Sequence, residues 1–178
     1  MVDAGAGDGR YALHVARSRA DTLAIGLDAS SDTLAHAARL AVRERLPNLV
    51  LLREPVEHIG LGSIADEVTV TFPWGSLLRG ALAEDLGVFD AICRLPRGGG
   101  TVTLLLSLIA LDGHAPLNDR EIARVTRAYR ACGFTVLRSC AITRADVDAA
   151  RSSWGKRLGV GRARPGHLLS FRRGSAPT

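Results

Sequence analysis

At 178 residues and 47% hydrophobic, the chain is long enough to bury one substantial core, and nothing in its length requires a second. The formal charge is +5, and from Ala149 onward Arg151, Lys156, Arg157, Arg162, Arg164, Arg172 and Arg173 meet no acid, a one-signed stretch that favours a polyanionic partner, though a solvated basic face would look the same. Three cysteines without a CxxC pair indicate neither a disulfide framework nor a zinc site, so no metal is expected. The apolar run Thr101 to Leu111 is too short for a bilayer and the opening residues lack a leader pattern, so a soluble cytoplasmic protein is expected.

The chain begins Val2-Asp3-Ala4-Gly5-Ala6-Gly7-Asp8-Gly9, a glycine-rich turn of the kind that follows a strand and lets a nucleotide-like cofactor approach the backbone. Only Met1 and Val2 precede Asp3, whereas a central strand usually has roughly five residues. One domain is therefore expected over residues 1–178, lacking part of its natural amino-terminal strand. Arg10 to Arg19 reads as a helix burying Leu13, Val15 and Ala16, and Leu23 to Leu27 as a short buried strand ending at Asp28. From about Asp32 a second helix carries an apolar stripe of Leu34, Ala37, Ala38, Ala41 and Val42, with His36, Arg39 and Arg43 opposite.

Pro47-Asn48 ends that helix, and Leu49 to Leu52 is the next strand. Glu67 to Phe72, rich in β-branched residues, is the fourth. Ser76 to Leu95 has a helical pattern with an interruption near Gly87, after which Gly98-Gly99-Gly100 turns the chain into a long strand, Thr101 to Ile109. Asn118 three residues before Glu121 predicts a capped helix lined on one side by Ile122, Val125, Tyr129 and Cys132, ending at Gly133. Phe134 to Ile142 is a strand, Thr143-x-x-Asp146 caps a helix, and His167 to Phe171 is the last strand. Strands alternating with helices predict an α/β fold, a Rossmann-like doubly wound sheet closed by an antiparallel terminal hairpin.

Gly5 and Gly7 remove side chains where a cofactor must touch backbone, and Asp28 at the next strand tip is placed to accept from both ribose hydroxyls. A dinucleotide fingerprint needs Gly or Ala where this chain has Arg10, which argues against a nicotinamide. Asp3 could receive a cationic group instead of a pyrophosphate. An Asp-x-Gly-x-Gly-x-Gly motif resembles motif I of class I methyltransferases that use S-adenosylmethionine; a βα turn holding no ligand is the plainer alternative.

The two tryptophans sit in unusual peptides, Phe72-Pro73-Trp74-Gly75-Ser76 and Ser152-Ser153-Trp154-Gly155-Lys156-Arg157. Brought together they would clamp a nucleobase; separately, either could be a core residue. The first peptide falls at the carboxyl end of the fourth strand, where open α/β sheets place their chemistry. It offers no side-chain amide or carboxylate for an exocyclic amine, which points to a ring-nitrogen target. With Asp3 to Gly9, Asp28, Pro47-Asn48, Glu57, Phe72 to Leu78 with Arg79-Gly80, and Ser153 to Leu158, the chain resembles the 16S rRNA (adenine(1408)-N(1))-methyltransferases, the kanamycin-apramycin resistance family.

That resemblance implies that Trp74 and Trp154 sandwich a flipped adenine while Ser76 helps to fix it. It implies S-adenosylmethionine as cofactor, held by Asp3, Gly5, Gly7, Asp28, Val56, Glu57, Thr71, Phe72 and Pro73, with Val56 and Glu57 beside its adenine. The 30S ribosomal subunit is the implied partner, gripped at its 16S rRNA by Lys156, Arg157, Arg162 and Arg164. Arg39 and Arg43, with Arg45, stand in for a lysine-rich loop of the family. No histidine or cysteine nucleophile occurs in the site peptides. Two further readings stay open on the residues: a methyltransferase acting on another base or a small molecule, and a catalytically silent RNA-binding module.

Overall fold

Seven strands and seven α-helices follow one another in the computed structural model, which describes residues 1–30, 33–109 and 116–175; α-helices come in pairs after the fourth and sixth strands. The strands are β1 (Val2–Ala4), β2 (Ala24–Leu27), β3 (Leu49–Leu52), β4 (Ala65–Thr71), β5 (Pro96–Leu106), β6 (Phe134–Ala141) and β7 (His167–Arg173). The helices are α1 (Arg10–Ser18), α2 (Ala35–Glu44), α3 (Gly75–Ala81), α4 (Leu86–Arg94), α5 (Asp119–Ala131), α6 (Arg144–Ala149) and α7 (Ser153–Leu158). They build one sheet in the order β3-β2-β1-β4-β5-β7-β6, in which β7 runs antiparallel to both its neighbours. The doubly wound sheet with a terminal antiparallel hairpin is thus the observed architecture.

β1 has only three residues, yet it is central, paired in parallel with β2 and β4. Met1 extends the ladder, its amine donating to the Leu23 carbonyl at 2.8 Å and its carbonyl accepting from Ile25 at 3.0 Å. Each residue of β1 is buried, so apolar contact on both faces supplements the few backbone bonds. From β1 the chain winds outward to β2 and β3; from β4 it winds the other way. The switch point opens a crevice beyond the carboxyl ends of β1 and β4.

The alternation of β4 and β5 sorts their residues. Val68, Val70, Val102, Leu104 and Leu106 face the main core, covered by α3, α4 and α5. On the opposite face α1 packs through Val15 and Ala16 against Met1 and Ala24, and α6 packs through Val147 among Leu105, Ile142 and Leu168. Asn48, expected only as a helix breaker, also donates its side-chain amide to the carbonyls of Ala16, Arg19 and Thr22, satisfying the end of α1 and the turn after it.

Four local expectations are corrected. The glycine run 98–100 lies inside β5, where Ala65 and Glu67 of β4 pair with Pro96 and Thr101, so the extra residues bulge out rather than precede the strand. The strand also stops at Leu106, short of Ile109. The break between α3 and α4 precedes Gly87: Ala83 has a left-handed backbone and the Asp85 side chain caps α4 by accepting from Val88. On α2 only Leu34 and Ala37 of the expected stripe are buried, and Val42 is 80% exposed: the helix packs on α1, with Leu34 and Ala37 against Gly9. Cys132 lies on the expected side of α5, against Cys93, although it is exposed at the helix end, and the start of α2 expected near Asp32 lies outside the described residues. The capped starts of α5 and α6 are present, Asn118 accepting from Glu121 and Thr143 exchanging bonds with Asp146.

Candidate active site

The crevice at the switch point is a cleft of about 330 Å³. Its floor is the glycine turn after β1, one wall is the chain leaving β4, and the other is the segment from Ala150 to Trp154. Gly5, Gly7 and Gly9 all have positive φ, the conformation that bends the chain back under helix α1. A Cβ on Gly7 would project into open space with nothing within 4 Å, so the backbone there is bare toward the cleft.

Asp28 ties the turn to β2, accepting from the Gly7 amide at 2.7 Å and the Ser30 amide at 2.9 Å. Each carboxylate oxygen keeps a second lone pair for a ligand hydroxyl. Asp3 is only 2% exposed and accepts from the Thr69 hydroxyl at 2.9 Å. Burial pushes its carboxyl up to about 7; the Thr69 bond opposes the shift, and the charges of Asp28 and Asp8 add to it. Three carboxylates therefore converge on one small cleft. Such a field repels a pyrophosphate and suits a ligand bearing an ammonium and a sulfonium, so these residues fit S-adenosylmethionine by charge.

The chain leaving β4 turns sharply, with φ of 49° at Phe72 and 59° at Gly75. Phe72 is buried, its amide bonded to Leu105 and its ring sunk in the α6 cluster. Pro73 is also buried, whereas Trp74 is 41% exposed and Ser76 lies on the first turn of α3. Trp154, 39% exposed, is carried by α7, whose start is capped by the Ser152 hydroxyl accepting from Gly155 at 3.0 Å. The ring of Phe72 occupies the place where Gly155 would carry a side chain: a Cβ there would lie 2.3 Å from Phe72 Cε2. This close approach brings the two tryptophan peptides together.

The indoles meet edge to face, centroids 6.0 Å apart and planes at 79°. They touch each other directly. To admit a base, one ring must turn toward parallel and the two must part to about 7 Å, two van der Waals layers. The Arg157 guanidinium rests 5.7 Å from the Trp154 centroid, a cation–π contact on the clamp itself.

Asp3, Gly5, Gly7, Asp28, Thr71, Phe72, Pro73, Trp74, Ser76 and Trp154 all line the cleft, as the site expected from sequence requires. Val56 and Glu57 do not: Val56 is buried in the main core, and the single-turn 3-10 helix Val56–His58 packs on α4. Arg162 and Arg157 are exposed, Lys156 pairs with Asp148 at 3.1 Å, and Arg39 and Arg43 stand on the outer face of α2, away from the cleft lining. Arg164, expected at the RNA surface, is 8% exposed and turned inward; its Nε donates to the Ser107 hydroxyl at 2.8 Å and its Nη2 to the Ser107 carbonyl at 3.0 Å. Residues that sequence reasoning passed over also line the cleft, among them Asp8, Tyr11, Leu77 and Ser153. The Ser153 hydroxyl donates to Asp8 at 2.9 Å, tying the glycine turn to the residue before Trp154. Asp8 lay in plain view inside the glycine motif; its partner, 145 positions away, gave no signal.

The profile of the NpmA family, described as 16S rRNA (adenine(1408)-N(1))-methyltransferase, matches residues 1–171. A 16S rRNA (adenine(1408)-N(1))-methyltransferase of Streptoalloteichus tenebrarius is 28% identical over 176 residues, spanning 92% of this chain and 82% of the relative. Its counterpart in Streptoalloteichus hindustanus is 29% identical over 184 residues with the same coverage. Among solved structures, the W203A mutant of the Catenulisporales acidiphilia enzyme, described with cosubstrate SAM, superposes with a TM-score of 0.84 at 26% identity, covering 99% of this chain and 87% of that one. The profile match over nearly the whole length, on a cleft with this charge and these two indoles, means that the chain belongs to the 16S rRNA (adenine(1408)-N(1))-methyltransferase family.

Proposed function

We propose that the protein transfers the methyl group of S-adenosylmethionine to N1 of adenine 1408 in the 16S rRNA of the 30S subunit, and so confers resistance to aminoglycosides. The observation that carries this reading is the pair of half-exposed indoles in contact at 6.0 Å over a cleft floored by carboxylates. A cytoplasmic protein meets its substrate there; no helix among the described residues is long and apolar enough to cross a membrane.

The cofactor supplies an electrophilic methyl group on a cationic sulfur. Asp28 would accept from its ribose hydroxyls, ionised Asp3 would balance its ammonium, and the bare backbone at Gly7 would allow close approach, while Gly5 leaves room for the Leu77 side chain. An adenine paired or stacked in an RNA helix cannot present its Watson–Crick edge, so it must be extruded at a cost of a few kcal/mol. Stacking on aromatic rings returns about 1–3 kcal/mol per base, enough for Trp74 and Trp154 to offset that cost between them. N1 carries an in-plane lone pair and needs no deprotonation before attack. Catalysis would then rest on holding N1 in line with the methyl group, in keeping with a cleft that has no histidine or cysteine in its lining among the described residues.

The test is primer extension on 30S subunits incubated with the protein and cofactor. N1 methylation blocks the pairing edge, so reverse transcription stops one base before adenine 1408. Methyl transfer without that stop assigns another position, and RNA retention without transfer assigns a binder.

A further inference from the structure

Two grooves flank the cleft, and their charges are opposite. One, of about 510 Å³, shares Tyr11, Thr71 and Ala150 with it and is lined by Asp66, Glu67 and Asp146 against the single cation Arg97. The other, of about 480 Å³, shares Asp8 and Arg151 with the cleft and carries Arg10, His14 and Arg17 from α1, His36 from α2 and Lys156 from α7. Leu13, Ala37 and Leu40 lie between these polar groups as an apolar floor.

We propose that the basic groove seats the sugar-phosphate strand continuing from the extruded nucleotide, with Arg151 taking the phosphate nearest the cleft and His36 binding farther along. The inference rests on rRNA being the substrate and adds which side of the clamp the strand leaves by. In the acidic groove Asp66, Glu67 and Asp146 are balanced by Arg97, Arg19 and Arg138, so its one lining cation, Arg97, is already engaged and leaves nothing for a phosphate. On the other side Arg10, Arg17 and Lys156 already balance Asp8, Glu44 and Asp148. Arg151 and His36 have no ion-pair partner among the described residues, and both are exposed. Arg151 is also held at φ 51°, a left-handed conformation that costs a non-glycine residue about 1 kcal/mol or more, between α6 and the helix bearing Trp154. Its charge is felt across the groove: burial first, then Arg151, Arg19 and Arg17, lower the pKa of His14.

The test compares Arg151→Glu, Arg151→Lys, His36→Glu, His36→Lys and, in the acidic groove, Arg97→Ala. For each, the KM for 30S subunits is measured alongside 30S affinity as a function of KCl. Arg151→Glu and His36→Glu should each raise KM about tenfold and flatten the salt slope by about one phosphate contact. Arg151→Lys should stay near wild type, His36→Lys should tighten binding and steepen the slope, and Arg97→Ala should change neither. If the glutamate variants match Arg97→Ala, or if His36→Lys leaves affinity unchanged, the groove is not the strand path. A wild-type protein that leaves adenine 1408 unmodified would instead remove the underlying substrate reading.

Discussion

Gly155→Ala is the sharpest probe of the contact that assembles the clamp. The added Cβ would sit 2.3, 2.9 and 3.1 Å from Cε2, Cδ2 and Cζ of Phe72, whereas carbon atoms rest at about 3.5–4.0 Å. The nearest overlap thus exceeds an ångström. Phe72 cannot retreat: it is 5% exposed, bonded through its amide to Leu105, and packed among Leu105, Ile142, Val147, Val160 and Leu168. The strain must be relieved by displacing α7, and overpacking of this kind costs about 1–3 kcal/mol. At about 2–4 °C per kcal/mol for a chain of this size, the melting temperature should fall by roughly 2–12 °C. Trp154 moves with α7, and a displacement of about 1 Å can cost up to ~100-fold in rate. Methylation of 30S subunits should therefore fall by at least about tenfold, while cofactor affinity, measured by calorimetry, stays within about twofold because Gly155 does not line the cleft. Gly159→Ala is the control: its Cβ would approach nothing closer than 3.9 Å, so only left-handed strain at φ 70° is introduced. A folded Gly155→Ala protein with wild-type methylation would refute the claim that the Phe72–Gly155 approach sets the clamp.

Asp3 makes cofactor affinity depend on pH. With its pKa raised to about 7 by burial, it is mostly protonated below neutrality and cannot face an ammonium as a charge. Affinity should rise more than about tenfold between pH 5.5 and 7, with proton release visible as a buffer-dependent binding enthalpy; a pH-independent affinity would refute its role. For the unliganded fold the same raised pKa acts in the opposite sense: its stabilising contribution is complete below the ordinary 3.8 and is lost as pH rises through about 7. Asp3→Asn should abolish both dependences. Trp74→Ala and Trp154→Ala should each eliminate methylation and leave S-adenosylmethionine binding nearly intact; lost cofactor binding would mark that indole as structural. Tyr129 is fully buried, stacked on Phe171 at 4.4 Å, and its hydroxyl has no hydrogen-bond partner among the described residues. Tyr129→Phe should therefore stabilise the fold by about 1 kcal/mol in denaturant unfolding, and destabilisation by that amount would reveal a hidden partner.

The glycine turn, Asp3 and Asp28 were legible because their signal is local: glycines where backbone must be bare and acids at two successive strand ends. The doubly wound class of sheet followed from alternation, and the helix caps from residues three apart; the order of the strands came only with the structure. The tertiary structure decided what depends on distant residues meeting. Trp74 and Trp154 lie far apart in sequence and converge only because the Phe72 ring fills the space above Gly155. Neither peptide contains that fact. Position in the fold likewise turned Arg164 inward onto Ser107, put Val56 in the core, and made a bulge of glycines that read as a turn. A side chain's type states which bonds it can make; which partner arrives within 3 Å is set by the packing of the whole chain.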